Sequence, residues 1–200
     1  RIPLTVADYD RDQGTITLVI QALGKTTLEM RDHYKAGDSI VDFVGPLGLP
    51  QHVSRAGHVV LVGGGLGVAP VYPQLRAFKE AGNRTTGIIG FRNKDLVFWE
   101  ETFGRYCDNL IVCTDDGSYG KPGFVTAALQ EVLDNDRPGL VIAIGPLPMM
   151  NACVETTRPS GVKTMVSLNA IMVDGTGMCG SCRVTVGSEI RFACVDGPDF

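Results

Sequence analysis

Histidine and tryptophan are scarce in this 200-residue chain: three of the first and one of the second. His33, His52 and His58 are scattered in turns or ahead of a strand, and none belongs to a paired serine, cysteine or carboxylate pattern. Without such a pattern the three read as surface or core histidines. Basic residues are outnumbered, 18 Lys and Arg against 22 Asp and Glu, for a formal net charge of −4. A nucleic-acid partner, which needs a basic surface, is thereby disfavoured. No apolar run reaches the roughly 20 residues that cross a bilayer, and no signal-peptide pattern is visible. Internal repeats and low-complexity tracts are missing as well. The expectation is a cytoplasmic protein with no nucleic-acid and no membrane partner.

What is present is ordinary in bulk, 44% hydrophobic and 20% charged, as expected of a globular chain. Apolar runs at Val59–Val62, Gly87–Phe91, Leu110–Cys113 and Leu140–Ile144, with a weaker one at Val162–Leu168, suit strands buried on both faces of a parallel sheet. Helical patterns fall between them, at Ala69–Ala81, Asp95–Tyr106, Phe124–Asp134 and Met149–Thr157, with Pro70 and Pro73 assigned to a first helical turn. The alternation predicts a doubly wound α/β domain. Each strand run ends in glycine or small polar residues, which places a ligand crevice along one sheet edge.

The first fifty residues read differently. Strands are predicted at Thr15–Leu23 and Ser39–Val44, too few to close a barrel or make a stable sheet alone. With Arg1 at the start and Asp196–Phe200 at the end, the chain reads as a fragment whose β-domain begins earlier. Predicted domains are 1–52 (the C-terminal part of a flavin-binding β-barrel), 53–163 (nucleotide-binding α/β) and 164–200 (cluster module). The fold class is thus α/β plus β.

Six cysteines are present. Cys107, Cys113 and Cys153 lie in or beside apolar segments and read as buried free thiols. The other three form, with one carboxylate, the pattern Asp174-x4-Cys179-x2-Cys182-x11-Cys194. Plant-type [2Fe–2S] proteins use C-x4-C-x2-C and a distant fourth cysteine, so the spacing is intact with aspartate in the first place. Gly175, Gly177 and Gly180 permit the sharp bends a cluster loop needs. A structural zinc site is the rival, although it more often shows paired C-x2-C elements or histidines.

Val59–Val62 runs into Gly63-Gly64-Gly65-Leu66-Gly67-Val68-Ala69-Pro70, a strand, a glycine turn and a helix start. Backbone N–H groups there can approach a pyrophosphate, although the spacing only partly matches G-x-G-x-x-G and a plain tight turn remains the alternative. Arg1-Ile2-Pro3-Leu4-Thr5 and Gly24-Lys25-Thr26-Thr27 are compatible with flavin contacts or with ordinary strand ends and turns. Asp115-Asp116 suits a ribose contact or a solvated turn equally.

Taken in order, R-x-P-L-T, G-K-T-T, Gly45-Pro46-Leu47-Gly48, the Gly63–Pro70 loop, Gly145-Pro146-Leu147-Pro148-Met149-Met150 and the cluster loop resemble the ferredoxin–NADP reductase superfamily, in its branch with a C-terminal [2Fe–2S] module. That branch includes electron-transfer subunits of dihydroorotate dehydrogenase B and of electron-bifurcating ferredoxin:NADP oxidoreductases. Asp174 makes the chain similar to the second group, since the first uses four cysteines. The resemblance implies a ferredoxin reductase-like fold. It also implies FAD held by Arg1, Ile2, Pro3, Leu4, Thr5, Val19, Gln21, Gly24, Lys25, Thr26 and Thr27. In the superfamily pattern an arginine stands three residues before Ser/Thr, where this chain has Ile2. NAD(H) would be held by Gly63, Gly64, Gly65, Gly67, Ala69, Pro70, Arg92, Asp116, Gly145, Pro146 and Met149. The [2Fe–2S] cluster would be held by Asp174, Cys179, Cys182 and Cys194. An NAD(H)-dependent oxidoreductase subunit is implied, partnered by a larger flavoprotein subunit with iron–sulfur clusters and reaching ferredoxin through it. A nucleotide-binding regulatory flavoprotein is the alternative of another class.

Overall fold

The computed structural model describes residues 2–200; Arg1, and the flavin contact expected of it, lie outside the described residues. The chain opens with an antiparallel hairpin, β1 (Val6–Asp10) and β2 (Thr15–Leu18). Helix α1 (Lys25–His33) follows. This corrects two expectations. The strand predicted over Thr15–Leu23 stops at Leu18, and Gly24–Thr27 is a helix start rather than a strand end or turn. Helix α1 buries no residue, so it has no apolar stripe from which its period could be read. The strand expected at Ser39–Val44 does not form. It finds no partner ladder among the described residues, and Val41 and Val44 stand 93% and 75% exposed.

The large sheet contains β3 (His58–Gly64), β4 (Arg84–Phe91), β5 (Asn109–Thr114), β6 (Lys121–Pro122), β7 (Leu140–Ile144) and β8 (Thr164–Val166). All neighbours are parallel, in the spatial order β6-β5-β4-β3-β7-β8. The chain works outward from β3 to β6, then returns to the other side of β3. The reversal lies between β3 and β7, the place where doubly wound sheets open a crevice.

Strand β3 is buried along its whole length and divides its side chains by the strand period of two. Val59 and Leu61 face one layer with Phe78 and Leu75 of helix α2 (Val68–Glu80) and Phe103 of helix α3 (Glu100–Gly104). Val60 and Val62 face the other, with Leu129 and Leu133 of helix α4 (Val125–Asn135) and Cys153 of helix α5 (Leu147–Thr157). Burial on both faces explains the unbroken apolar run.

Two helical expectations are corrected. Pro73 sits inside α2 rather than in its first turn; it leaves one carbonyl of the preceding turn without its helical donor. The helix expected over Asp95–Tyr106 is broken into a 3₁₀ turn at Lys94–Leu96 and the short α3, because Trp99 takes a left-handed backbone (φ 61°). Its ring packs on Tyr72 and Phe98.

A second hairpin, β9 (Arg183–Val186) and β10 (Glu189–Phe192), closes the C-terminal module. Its small core gathers Cys182, Ala193 and Cys194 with Phe192 and Phe200. At the other end, Asp8 of β1 meets Arg76 of α2 at 2.5 Å, and the guanidinium lies 4.4 Å from the Tyr9 ring centre. One helix thus fastens the first hairpin to the sheet.

Candidate functional site

The carboxyl ends of the parallel strands bring the expected nucleotide residues to one edge. Gly63, Gly64 and Gly65 end β3, and the 3₁₀ turn Gly65–Gly67 leads straight into α2. The Val68 N–H turns back onto Gly65 O and Leu66 O, so the donors this edge can offer are those of the turn ahead of it, at the positive dipole end of α2.

The glycines are required for different reasons. A Cβ on Gly63 would lie 2.9 Å from Val68 Cα; on Gly64, 2.1 Å from Met149 Sδ; on Gly67, 2.2 Å from Ile144 O. These three let backbone and side chains close up. Gly65 is unlike them: it has φ +55° and nothing within 4 Å of a built Cβ. The space above it is open, so a ligand could approach the backbone there. Ala69 is buried, which leaves its amide, not its methyl, as the group it can offer, and Pro70 has no N–H to give. Gly145, Pro146 and Met149 form the opposite lip. The Met149 thioether lies over Gly64 and Gly145, a Cβ on the latter coming within 2.8 Å of it.

Arg92 and Asp116 stand exposed on the β4 and β5 ends. Asp116 Oδ1 accepts from the Ser118 hydroxyl at 2.6 Å and from its N–H at 3.0 Å, and these bonds hold its carboxyl below the usual range. The Lys94 N–H donates to Ser118 Oγ at 2.9 Å. The two loops are therefore tied together by a serine that the sequence reading passed over.

In the β-region, Thr27 Oγ1 accepts from the Leu23 and Gly24 N–H groups at 3.1 Å each and donates to Gly24 O at 3.0 Å. That leaves the amides of Lys25, Thr26 and Thr27 at an exposed helix start, beside the Lys25 ammonium, a donor set that fits a diphosphate. The signal was an N-terminal glycine followed by Thr-Thr, masked by the lack of an apolar period. Ile2, Pro3, Leu4 and Thr5 form an irregular lead-in to β1, and Val19 and Gln21 follow β2.

The cluster loop hangs from that same edge, since the chain leaves β8 at its carboxyl end and runs into it. Gly175, Gly177 and Gly180 all have positive φ, at 78°, 85° and 67°. Asp174 Oδ1 accepts from the Thr176 N–H and Oδ2 from the Cys179 N–H, both at 2.8 Å. These bonds lower its carboxyl, the Thr176 amide foremost. Cys182 and Cys194 are buried, 2% and 5% exposed, and the Cys194 N–H donates to Cys182 Sγ at 3.4 Å. Cys179 is exposed, and the Ser181 hydroxyl and amide hold its thiol below the usual range. Among the described residues no three such side chains converge on a single-ion point. The donor set is three sulfurs and one oxygen on one compact, glycine-hinged module, and two irons spread their ligands over a wider core. That chemistry fits a [2Fe–2S] centre.

The remaining thiols are elsewhere. Burial pushes Cys107 and Cys153 up to about 12, so neither is a ready nucleophile at neutral pH. His58 is buried at the amino end of β3, its Nε2 2.9 Å from Thr86 Oγ1 and its Nδ1 3.2 Å from Asp136. It is a core histidine on the sheet edge opposite the crevice.

A family model described as an oxidoreductase NAD-binding domain matches residues 61–155, and one described as the iron-sulfur cluster binding domain of dihydroorotate dehydrogenase B matches residues 169–200. A Thermotoga maritima protein named as a homolog of the dihydroorotate dehydrogenase B (NAD(+)) electron transfer subunit is 50% identical over the whole chain, which spans 70% of it. The subunit of that name from Shouchella clausii is 36% identical, with 77% of it spanned. A solved structure of an NADH-dependent reduced ferredoxin-NADP oxidoreductase, described in terms of flavin-based electron bifurcation, superposes with a TM-score of 0.92 at 49% identity, covering all of this chain and 72% of that one. The chain belongs to the ferredoxin reductase-like family of electron-transfer subunits typified by that of dihydroorotate dehydrogenase B.

Proposed function

We propose that this chain is an NAD(H)-dependent oxidoreductase subunit of the cytoplasm. It binds NAD(H) at the glycine edge, FAD between the β-region and the nucleotide unit, and a [2Fe–2S] cluster in its C-terminal module. It exchanges electrons with a larger flavoprotein subunit that carries iron–sulfur clusters, in the manner of an electron-bifurcating ferredoxin:NADP oxidoreductase. The observation that carries this reading is continuity: the sheet edge that presents Gly65 also launches the loop of Asp174, Cys179 and Cys182. When bound, these groups supply hydride exchange at the nicotinamide and flavin and single-electron transfer at the cluster.

The chain's own residues bind and position. Gly65 and the turn amides that lead into α2 receive the pyrophosphate, Asp116 the ribose, and the lip of Gly145, Pro146 and Met149 the nicotinamide end. Lys25 and the α1 amides receive the flavin diphosphate. The proposed units are 1–52, 53–163 and 164–200, with the middle limit moved past Val166, because β8 is a member of the large sheet.

A visible spectrum of the full-length protein tests this reading. Flavin and cluster absorption that bleaches on adding NADH supports it; a colourless protein, or one inert to NADH, overturns it. The names of the relatives favour dihydroorotate dehydrogenase B as a second reading, and the large subunit that co-purifies decides between the two. NADH is expected to be used in preference to NADPH, because the ionised Asp116 on the ribose side opposes a 2′-phosphate. Asp116→Asn should narrow that preference several-fold in flavin-reduction rates. Equal discrimination in variant and parent would remove Asp116 from the ribose site.

A further inference from the structure

The end of the chain returns to the large sheet. Val166 and Phe200 exchange backbone bonds in both directions, at 2.9 and 3.0 Å, and the Leu168 N–H donates to Pro198 O at 2.9 Å. Gly197 O accepts from the Leu49 N–H at 2.8 Å. Residues 197–200 therefore touch the β-region, the nucleotide unit and the cluster module at one place.

Asp199 stands within this tail, bridged to Ser167 across the strand pair. Its side chain reaches α2, where Gln74 Nε2 donates to Oδ2 at 3.0 Å. The other half of each group, Asp199 Oδ1 and Gln74 Oε1, is closed off from solvent and has no hydrogen-bond partner within normal distance among the described residues, although the nearby Ser167 hydroxyl favours the ionised carboxyl. Two acceptor oxygens cannot satisfy one another, and a buried acceptor left unmet loses its hydration without return.

Among the described residues no cation answers the carboxylate. On α2, Arg76 is engaged with Asp8 and Lys79 with Asp108. Asp196, on the tail itself, accepts from the Phe192 N–H and lies 4.0 Å from Arg191. Segments 47–49 and 166–168 bring no charged side chain.

One proton could satisfy both orphaned oxygens. A protonated carboxyl can donate its O–H to Gln74 Oε1 while the Gln74 N–H donates to Oδ2, the two-bonded pairing of a carboxylic acid with a primary amide. Turning the amide over leads to the same requirement, since its carbonyl would then face a carboxyl oxygen that must carry the proton.

We infer that Asp199 is protonated when the tail is docked, and that the Asp199–Gln74 pair is a proton-dependent latch fastening the cluster module to α2. Burial pushes the Asp199 carboxyl above its ordinary range, while the Ser167 hydroxyl and the Gln74 amide act the other way. A carboxyl raised in the docked state favours the neutral form there. Its contribution to docking is complete below the ordinary carboxylate range and is lost as pH rises through the docked value. Alkaline conditions should therefore loosen the tail, and with it the seat of the cluster module on the sheet.

The test is amide hydrogen exchange at Val166, Leu168 and Phe200 in the full-length protein, corrected for intrinsic exchange, between about pH 5 and about pH 9. In the parent, protection should fall with rising pH, by up to about tenfold for each unit by which docking displaces the carboxyl. Asp199→Asn should stay protected with no such slope, because an amide pairs with Gln74 at any pH. Asp199→Ala should lose protection throughout. A flat profile in the parent, or an Asn variant as exposed as the Ala variant, would overturn the latch. The measurement needs no turnover and stands apart from the proposed activity.

Discussion

Cys179→Ala is expected to fold normally and to lose its iron–sulfur cluster. The side chain is exposed, so the substitution takes nothing from the core, while one of four cluster ligands disappears and no other free thiol is placed to replace it. Cys182→Ala should lose the cluster and also melt earlier. Its thiol is buried against Ala193 and Cys194, and deleting a group of that size from a packed core costs on the order of 1 kcal/mol or somewhat more. Asp174→Cys should retain a cluster, because C-x4-C-x2-C-x11-C is the all-cysteine pattern. A thiolate in that place can still accept the loop amides of Thr176 and Cys179 that Asp174 now receives. Iron content and electron paramagnetic resonance of the reduced proteins decide the matter. A full complement of iron in Cys179→Ala would remove that residue from the ligand set.

The glycine turn should separate folding from binding within three positions. In Gly67→Ala the new methyl would stand 2.2 Å from Ile144 O and 2.7 Å from Gly145 Cα. Both are backbone atoms of the neighbouring strand end, so no rotamer change relieves the contact. The β3 and β7 ends must part, and a loss of about 1–3 kcal/mol, or more, is expected in denaturant titration. Gly65→Asn should behave in the opposite way. Nothing occupies the space its side chain enters, and asparagine tolerates positive φ better than other side chains. Valine there would confuse the reading, since a β-branched residue is strained at that φ. The Asn variant should melt close to the parent and bind NADH at least several-fold more weakly, because its side chain fills the approach to the backbone. Normal NADH titration in a normally melting Gly65→Asn would show that the turn serves only packing, and that the pyrophosphate lies elsewhere along the edge.

The parallel sheet was legible because burial on both faces writes itself as uninterrupted apolar runs; Leu140–Ile144 is a strand from the first of these residues to the last. The cluster loop was legible because ligand spacing and bending glycines are local properties. Hidden were the features whose cause is not local. Helix α1 buries nothing and so leaves no period. Trp99 breaks a helical pattern in favour of an aromatic contact with Tyr72, a residue 27 positions earlier by the numbering. The pairing of Gln74 with Asp199 spans 125 residues, and neither side chain carries a motif. The exposed Val41 and Val44 show the converse: a run of β-formers makes a strand only when a partner strand is at hand.

Helix α2 ties these regions to one another. Its first turn continues from the glycine crevice, Gln74 touches the cluster tail one turn further on, and Arg76 grips the opening hairpin through Asp8 and the Tyr9 ring. Three regions are thus mounted on a single helical shaft 13 residues long. At about 1.5 Å of rise per residue the shaft is roughly 20 Å in length, and Pro73 is its one weakened section. A bend at that section would tilt the crevice against the other two mounts together and would leave the spacing between cluster module and hairpin unchanged.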